Sequence, residues 1–274
     1  MAFPRPAEDP DFHEEMWLRY PLAQDVVPYH YAHTITARQG LGLIMNNIIF
    51  NVRDRPKEAG SLTTSEALDL KARLDMWYDS LPPPMQAANI VFPPQLEVHL
   101  EYHSIVIELY QRSDAAIDPT YAARMLKTSN IRVETILRLY HLRHSLECYT
   151  IFTVWIMVYV GNLCLNSVAE NSLPNATADE IRSSLLLCAN GLKGAGRSYH
   201  FAKLAYYALS QRMSAYDLSL LRTFSGPEDG AMDELSLMRN THSTWPVPIV
   251  KPDEDADKAR QEKLAKDTHE LAMR

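Results

Sequence analysis

TTSEALDLKARLDMWYDSLPPP, residues 63–84, decides the fold class of this chain. Thr63 to Glu66 fit a capping box, in which a hydroxyl accepts from a free N–H of the first helical turn and a carboxylate accepts from the cap backbone. Apolar side chains then recur at steps of three and four residues, at Ala67, Leu70, Leu74, Trp77 and Leu81. The prolines at 82–84 cannot continue a helix. The stretch therefore predicts an amphipathic helix that buries one face.

Helical periodicity continues through most of the chain. It predicts helices over 31–52, 95–111, 131–144, 149–166, 198–212 and 214–223, and another that starts at a second capping box, 177–180, and ends near Gly194. The helix over 95–111 is apolar on a wide arc, so we expect it to pack on two sides. Ser129-Asn130 is expected to interrupt the chain. We find no strand-like alternation of useful length, and predict a single all-α domain of roughly seven to nine packed helices.

Proline and glycine usage indicates the limits of the folded region. Prolines cluster at 4–28, 82–94 and 246–252, and there are only 9 glycines, which favours long helices over tight turns. Residues 1–28 are predicted to be an extended N-terminal segment and 29–224 the helical domain. Residues 225–274 are predicted to be a loosely attached, charged C-terminal tail.

Charge and hydropathy argue against two classes of partner, nucleic acids and membranes. The formal net charge is −7, and no basic stripe is interleaved with aromatic residues, so we expect no direct contact with nucleic acid. The run from Cys148 to Ala169 has no charge, but its dense apolar part, 149–165, is shorter than the ~20 residues of a membrane span. We predict a buried central helix there and no membrane partner, with a transmembrane helix as the alternative. The three cysteines, at 148, 164 and 188, lack CxxC spacing and are predicted to be buried thiols.

Two histidine patterns have spacings that a metal could use. His99 and His103 lie four residues apart on a predicted helix, but the order HLEYH lacks the glutamate position of HExxH. His141, His144 and Cys148 would share a helix face. Because metal sites usually draw ligands from more than one element, we predict no metal in this chain and interpret these groups as helix-contact or surface residues.

Asn162, Asn166 and Glu170 follow an apolar helix at steps of four, as in the magnesium triad of terpene cyclases. Such enzymes also need an aspartate-rich cluster on a facing helix, and the acidic clusters here lie in the predicted tails. The motifs GxSxG, GxGxxG and GxxxxGK[ST] are absent. We therefore predict a protein that is not an enzyme and has no catalytic residues, with a terpene-cyclase-like helical enzyme as the alternative.

Several stretches together resemble the middle homology region of fungal zinc-cluster transcription factors. EMWLRYP, residues 15–21, resembles the "W..YP" entry to that region, and LDMWYDSLPP, 74–83, is similar to its "L..WY..LP" helix end. LEVHLEYHSIVIELYQR, 96–112, is similar to its "LH..YH..II.LHRP" helix, although Tyr-Gln-Arg stands where the family has His-Arg-Pro. The segments 149–165 and 185–213 follow in the family's order, so the resemblance covers about residues 15–225.

The resemblance implies an all-helical regulatory domain that acts in the nucleus, or in the cytoplasm if it is a truncated product. In that family, DNA is bound by a separate module in which six cysteines hold two zinc ions, so zinc is expected there and no cofactor here. The implied partners are a second copy, a related transcription factor, a co-regulator protein or a small-molecule effector. A truncated, dimerising inhibitor of such factors is the other alternative. Our candidate effector pocket comprises Tyr102, His103, Trp155, Tyr159 and Asn162, and ordinary core packing is their alternative role.

Overall fold

A computed structural model describes residues 16–19, 26–53, 63–112, 118–144, 150–169 and 175–225. Within these ranges the chain forms eight α-helices and one short antiparallel ribbon, which confirms the all-α prediction. The elements are β1 (Trp17–Arg19), β2 (Val26–Pro28), α1 (Tyr31–Arg53), α2 (Thr64–Asp79), a 3₁₀ turn (Pro83–Met85), α3 (Pro93–Arg112), α4 (Pro119–His144), α5 (Ile151–Ala169), α6 (Asn175–Ala195), α7 (His200–Gln211) and α8 (Ala215–Ser225). They divide into two compact units, Met1–His144 (unit 1) and Ser145–Arg274 (unit 2). The predicted domain limits at 28 and 224 stay predictions.

The ribbon of unit 1 was not expected from the sequence. β1 pairs antiparallel with β2, with Trp17 opposite Pro28, and the amide of Tyr29 donates to the carbonyl of Met16 at 2.7 Å. Strands of three residues are too short for an alternation of period two to be recognised, and a ribbon of this size is consistent with the predicted all-α fold.

Helix α2 begins as the sequence predicts. The Thr63 hydroxyl accepts from the backbone of Glu66, and the Glu66 carboxylate accepts from the Thr63 backbone at 2.9 Å, so the capping box is complete. The helix ends at Asp79, just before the proline run, and Leu74 is fully buried on its apolar face. Burial of that face against α1 and α3 stabilises the helix more than its local propensity does.

Helix α3 is at the centre of unit 1. It packs against α4, α1 and α2, which confirms the expectation of a helix buried on more than one side. The Gln95 side chain satisfies its N-terminus by accepting from the amides of Val91 at 2.8 Å and Phe92 at 3.0 Å. Buried apolar side chains of α1, α2 and α3 form a common core: Leu41, Ile44, Ala67, Leu70, Leu74, Val106 and Leu109.

Helix α4 corrects one predicted interruption. It runs from Pro119 to His144 without a break, so Ser129-Asn130 does not end a helix. Ser129 is buried in the helix, and tertiary burial of α4 outweighs the weak local preference of serine and asparagine for turns.

In unit 2, α6 packs against α5, α7 and α8, and the buried residues of α5 and α6 form most of the core: Val154, Ile156, Met157, Val160, Cys164, Leu185, Cys188 and Leu192. Helix α6 begins at Asn175, so Thr177 lies inside it and the second capping box does not start the helix. Helix α8 does have a reciprocal cap, because Ser214 accepts from the amide of Asp217 at 3.1 Å and donates to its carboxylate at 2.6 Å.

One helix among the described residues is long and apolar enough to cross a membrane by length and composition. It is the part of α5 from Ile151 to Val168, and half of that segment is buried in the folded chain. The core helix of a water-soluble protein has the same properties, so this finding leaves the prediction of a buried central helix standing.

Candidate functional site

Five aromatic and imidazole side chains meet where the end of α2 contacts α3; we call them the ring cluster. They are Trp77 and Tyr78 of α2 and His99, Tyr102 and His103 of α3. The three α3 residues are spaced i, i+3 and i+4, which places them on one face of the helix. Trp77 and Tyr78 lie in the last turn of α2, which ends at Asp79 before the prolines at 82–84, and their rings contact that face of α3.

The rings adopt the geometries that aromatic pairs prefer. Tyr78 and Tyr102 stack with centroids 4.3 Å apart, and Tyr102 meets His103 edge-on at 5.0 Å. Tyr78 also meets His99 edge-on at 5.3 Å. Each such pair contributes about 0.5–1.5 kcal/mol beyond its buried area, so the cluster is a strong joint between α2 and α3.

His99 uses both ring nitrogens inside the protein. Nε2 lies 2.7 Å from the carbonyl oxygen of Met85, which can only accept, so Nε2 carries the proton and donates. Nδ1 is then the acceptor for the Tyr78 hydroxyl at 3.2 Å. Burial lowers the pKa of His99, which keeps the ring neutral in this tautomer. Neither nitrogen is free to hold a metal.

His103, one turn further along α3, differs from His99. It is only 8% exposed, and its Nδ1 has no hydrogen-bond partner among the described residues. Burial lowers its pKa to about 3, and the nearby charges of Arg132 and Lys71 act in the same direction. The ring is therefore neutral at pH 7, and one buried nitrogen remains unsatisfied, at a typical cost of about 1–3 kcal/mol.

A partly buried ion pair adjoins the ring cluster. The Lys71 ammonium contacts both carboxylate oxygens of Asp75 at 2.5 Å, and the Tyr102 hydroxyl donates to the same carboxylate at 3.0 Å. The Lys71 side chain is 11% exposed, whereas that of Asp75 is 45% exposed. Burial, together with the charge of Asp75, raises the pKa of Tyr102, so its hydroxyl stays protonated and donates.

Trp77 connects the ring cluster to α1. Its indole N–H donates to the carbonyl of Ala37 at 3.2 Å, and its ring lies over Gly40. A Cβ at position 40 would lie 2.8 Å from Trp77 Nε1, so a residue without a side chain is needed there for the indole to reach α1.

The other predicted pocket residues belong to unit 2. Trp155 stacks between Phe152 and Tyr159 along α5, with centroids 6.1 and 6.3 Å apart. Asn162 lies two turns further along and donates to the carbonyl of Val158 at 2.8 Å. The structure thus brings Tyr102 and His103 together in unit 1 and places the other three on α5 in unit 2. That all five line one pocket stays a prediction.

The two amides of the proposed magnesium triad contact a cation. The Arg212 guanidinium donates to the side-chain oxygens of Asn162 and Asn166, the latter at 3.0 Å. These are the atoms that would coordinate the metal, and a guanidinium there repels a divalent ion. Glu170 lies outside the described residues. This contact weighs against the terpene-cyclase alternative.

The second histidine pattern also has a structural partner. His144 lies 2.7 Å through Nε2 from the carbonyl of Val91, so this nitrogen donates, and Cys148 lies outside the described residues. Within the part of the chain that the structure describes, no three His, Cys, Asp or Glu side chains are grouped so as to hold a metal ion.

Sequence reasoning placed Tyr102 and His103 in the candidate pocket and left out the other five participants, which are Lys71, Asp75, Trp77, Tyr78 and His99. Lys71 and Asp75 carry a local signal, since opposite charges at i, i+4 pair on a helix surface. The roles of Tyr78 and His99 depend on the meeting of α2 with α3, which no local pattern encodes.

No family model matches this chain, and neither a search of curated proteins nor one of solved structures finds a similar protein.

Proposed function

We propose that this chain is a regulatory domain of a fungal zinc-cluster-type transcription factor that does not itself contact DNA. It controls metabolic or secondary-metabolite genes in the nucleus, and its activity is modulated by a small effector or a partner protein that binds at unit 1. The chain has no catalytic step in this proposal, and zinc belongs to a separate DNA-binding module.

The observation that carries this proposal is the ring cluster itself. Two of the segments that carry the resemblance, 74–83 and 96–112, are separated by 12 residues in the sequence, and together they supply every ring of the cluster. Tyr78 from the first segment donates to His99 from the second. Segments that were selected only for resemblance thus form one buried joint, which supports their origin in a common architecture.

The same joint offers a physical means of regulation. Regulation by population shift needs two helix packings that differ by a few kcal/mol. The unsatisfied His103 nitrogen costs about 1–3 kcal/mol in the present packing, so a packing or a ligand that satisfies it gains energy of the required size. The α2–α3 joint is therefore the element that an effector would bias.

A tethered reporter tests the proposal. The chain is fused to an unrelated DNA-binding module in yeast, and transcription from a matching promoter is compared with that of the module alone. We expect the fusion to change transcription at least about threefold relative to the module alone. Tyr78→Phe and His103→Leu, which alter the ring cluster, should each give a transcription level different from that of the wild-type fusion. Tyr216→Phe, at an exposed ring of unit 2, is the matched control and should behave as wild type.

Two results would contradict this function. One is a fusion, confirmed by immunoblot and nuclear imaging, that leaves transcription at the level of the module alone. The other is turnover of a prenyl diphosphate by the purified chain with Mg²⁺, which would favour the enzyme alternative. Mixing the chain with an intact family member and measuring that protein's reporter activity separates a dimerising inhibitor from an autonomous regulator.

A further inference from the structure

We propose that Asp75 occupies a built-in carboxylate site in unit 1, and that the effector is a small aromatic carboxylic acid that replaces Asp75 there. This inference rests on the proposed regulatory function and names the chemical class of ligand that acts on the α2–α3 joint.

The site is defined by the donors that converge on Asp75. The Lys71 ammonium contacts both of its oxygens, and the buried Tyr102 hydroxyl donates to one of them. Lys71 is almost completely buried, so its charge would be strongly unfavourable without an anion beside it. The two donors thus favour a carboxylate at this point, whichever molecule supplies it.

Asp75 is the one member of this set that faces solvent. Its side chain is 45% exposed, against 11% for Lys71 and 7% for the whole Tyr102 residue. Because an aspartate side chain has few torsions, rotation about its Cα–Cβ bond can carry the carboxylate into water without a backbone change. The exposed carboxylate is therefore the group that an incoming acid can replace.

The surroundings of the carboxylate select an aromatic acid. Trp77 and Tyr78 are half-buried, and the rings of both lie beside that of Tyr102. A planar apolar body can stack on these rings while its carboxylate takes the place of Asp75. Arg132 adds positive charge that reaches Tyr78, and Asp79 adds negative charge.

His103 gives an independent indication that a ligand belongs here. Its ring meets that of Tyr102 edge-on at 5.0 Å, the Tyr102 hydroxyl donates to Asp75, and the buried Nδ1 of His103 has no hydrogen-bond partner among the described residues. A ring hydroxyl on the acid can serve as donor or acceptor to that nitrogen, whichever tautomer the imidazole adopts. Hydroxylated aromatic acids should therefore bind more tightly than the unsubstituted acid.

Replacement of Asp75 would transmit binding to the fold. The hydrogen bond from Tyr102 to Asp75 joins α3 to α2, and its loss leaves the end of α2 held to α3 by the ring contacts and the Tyr78–His99 bond. Binding thus weakens one of the connections that fix the packing of the two helices, which couples the ligand to the proposed regulatory shift.

Isothermal titration with benzoate tests this inference directly. In the wild-type chain Asp75 competes, so the apparent affinity is reduced by the fraction of molecules in which Asp75 has moved away. If that fraction is below about one in ten, Asp75→Ala should bind benzoate at least about tenfold more tightly than wild type. Asp69→Ala removes an exposed carboxylate from the same helix and should leave the affinity unchanged. The double variant Lys71→Met, Asp75→Ala should lose this increase in benzoate affinity.

A comparison of related ligands provides a second test of the inference. Benzamide, which lacks the charge, and acetate, which lacks the ring, should both bind Asp75→Ala at least about tenfold more weakly than benzoate. The tightest of the three hydroxybenzoate isomers should bind more tightly than benzoate, and His103→Leu should remove that preference. Circular dichroism checks that each variant is folded, and Asp75→Asn replaces Asp75→Ala if the latter is not.

The inference is overturned if folded Asp75→Ala, or its asparagine substitute, binds benzoate no more tightly than wild type, or if Lys71→Met leaves the gain intact. These measurements need no transcription. A chain that regulates the tethered reporter but fails this titration would retain the proposed function and lose the aromatic-acid ligand.

Discussion

Acidification should destabilise unit 1 through His103. Burial holds the pKa of this imidazole at about 3 in the folded chain, against an ordinary value of 6.5. Between these two pH values the unfolded chain binds more protons than the folded chain, so the free energy of unfolding rises with pH in this window. The contribution is fully present above pH 6.5 and is lost as the pH falls toward 3.

The size of the effect follows from the same pKa difference. Each pH unit inside the window changes the free energy of unfolding by about 1.4 kcal/mol per proton, so lowering the pH from 7 to 5 should cost about 2 kcal/mol through His103. His99, whose pKa burial also lowers, adds to the loss in the same direction. The His103→Leu variant should lack the part of this stability loss that is due to His103 and keep the part that is due to His99.

Urea unfolding at pH 7 and pH 5 measures this difference. Because the chain has two units, 5-fluorotryptophan labelling and ¹⁹F NMR of the Trp77 resonance report unit 1 separately from unit 2. His103→Leu should lose about 2 kcal/mol less stability than wild type between the two pH values. His200→Gln, at an exposed histidine of unit 2, should keep the wild-type difference. Equal losses in wild type and His103→Leu would refute the assignment of this titration to His103.

Three further substitutions test the packing. Gly40→Ala should lower the melting temperature, because the added Cβ would displace the Trp77 indole. The same change normally stabilises a helix interior by up to about 1 kcal/mol, so a higher melting temperature would contradict that contact. Thr63→Ala should reduce the free energy of unfolding in urea by about 1 kcal/mol through loss of the α2 cap, and Thr63→Ser should not. Arg212→Met should destabilise unit 2 by about 1 kcal/mol in thermal unfolding, since it removes the charged donor to Asn162; no change would show that this exposed contact contributes nothing.

Local chemistry explains which helices could be predicted from the sequence. The prediction of a capping box at Thr63 was correct, because its two hydrogen bonds join residues three apart and are complete within one helical turn. The box predicted at Thr177 has the same threonine and glutamate spacing, yet α6 begins at Asn175, so Thr177 lies within the helix and not at its cap. At Ser129 the sequence predicted an interruption, but α4 continues through this residue, because burial in α4 outweighs the local preference of serine for turns.

The candidate site could be predicted only in part for a related reason. Spacing alone places His99 and His103 on one face of α3, and it treats them as equivalent. Their difference arises from Met85 and Tyr78, which bond to both nitrogens of His99, whereas Nδ1 of His103 has no hydrogen-bond partner among the described residues. Those partners come from the 3₁₀ turn and the end of α2, so the distinction exists only once the tertiary structure has formed.

This difference also bears on why the ring cluster suits regulation better than mere stability. An apolar residue in place of His103 would avoid the cost of an unsatisfied buried nitrogen, so His103→Leu should be as stable as wild type or more stable at pH 7. If the α2–α3 joint were only structural, the variant would be an improvement without a functional cost. We expect instead that His103→Leu folds well, keeps the Tyr78–His99 bond, and has an altered reporter response. A variant that is both more stable and unchanged in the reporter would place regulation elsewhere in the chain.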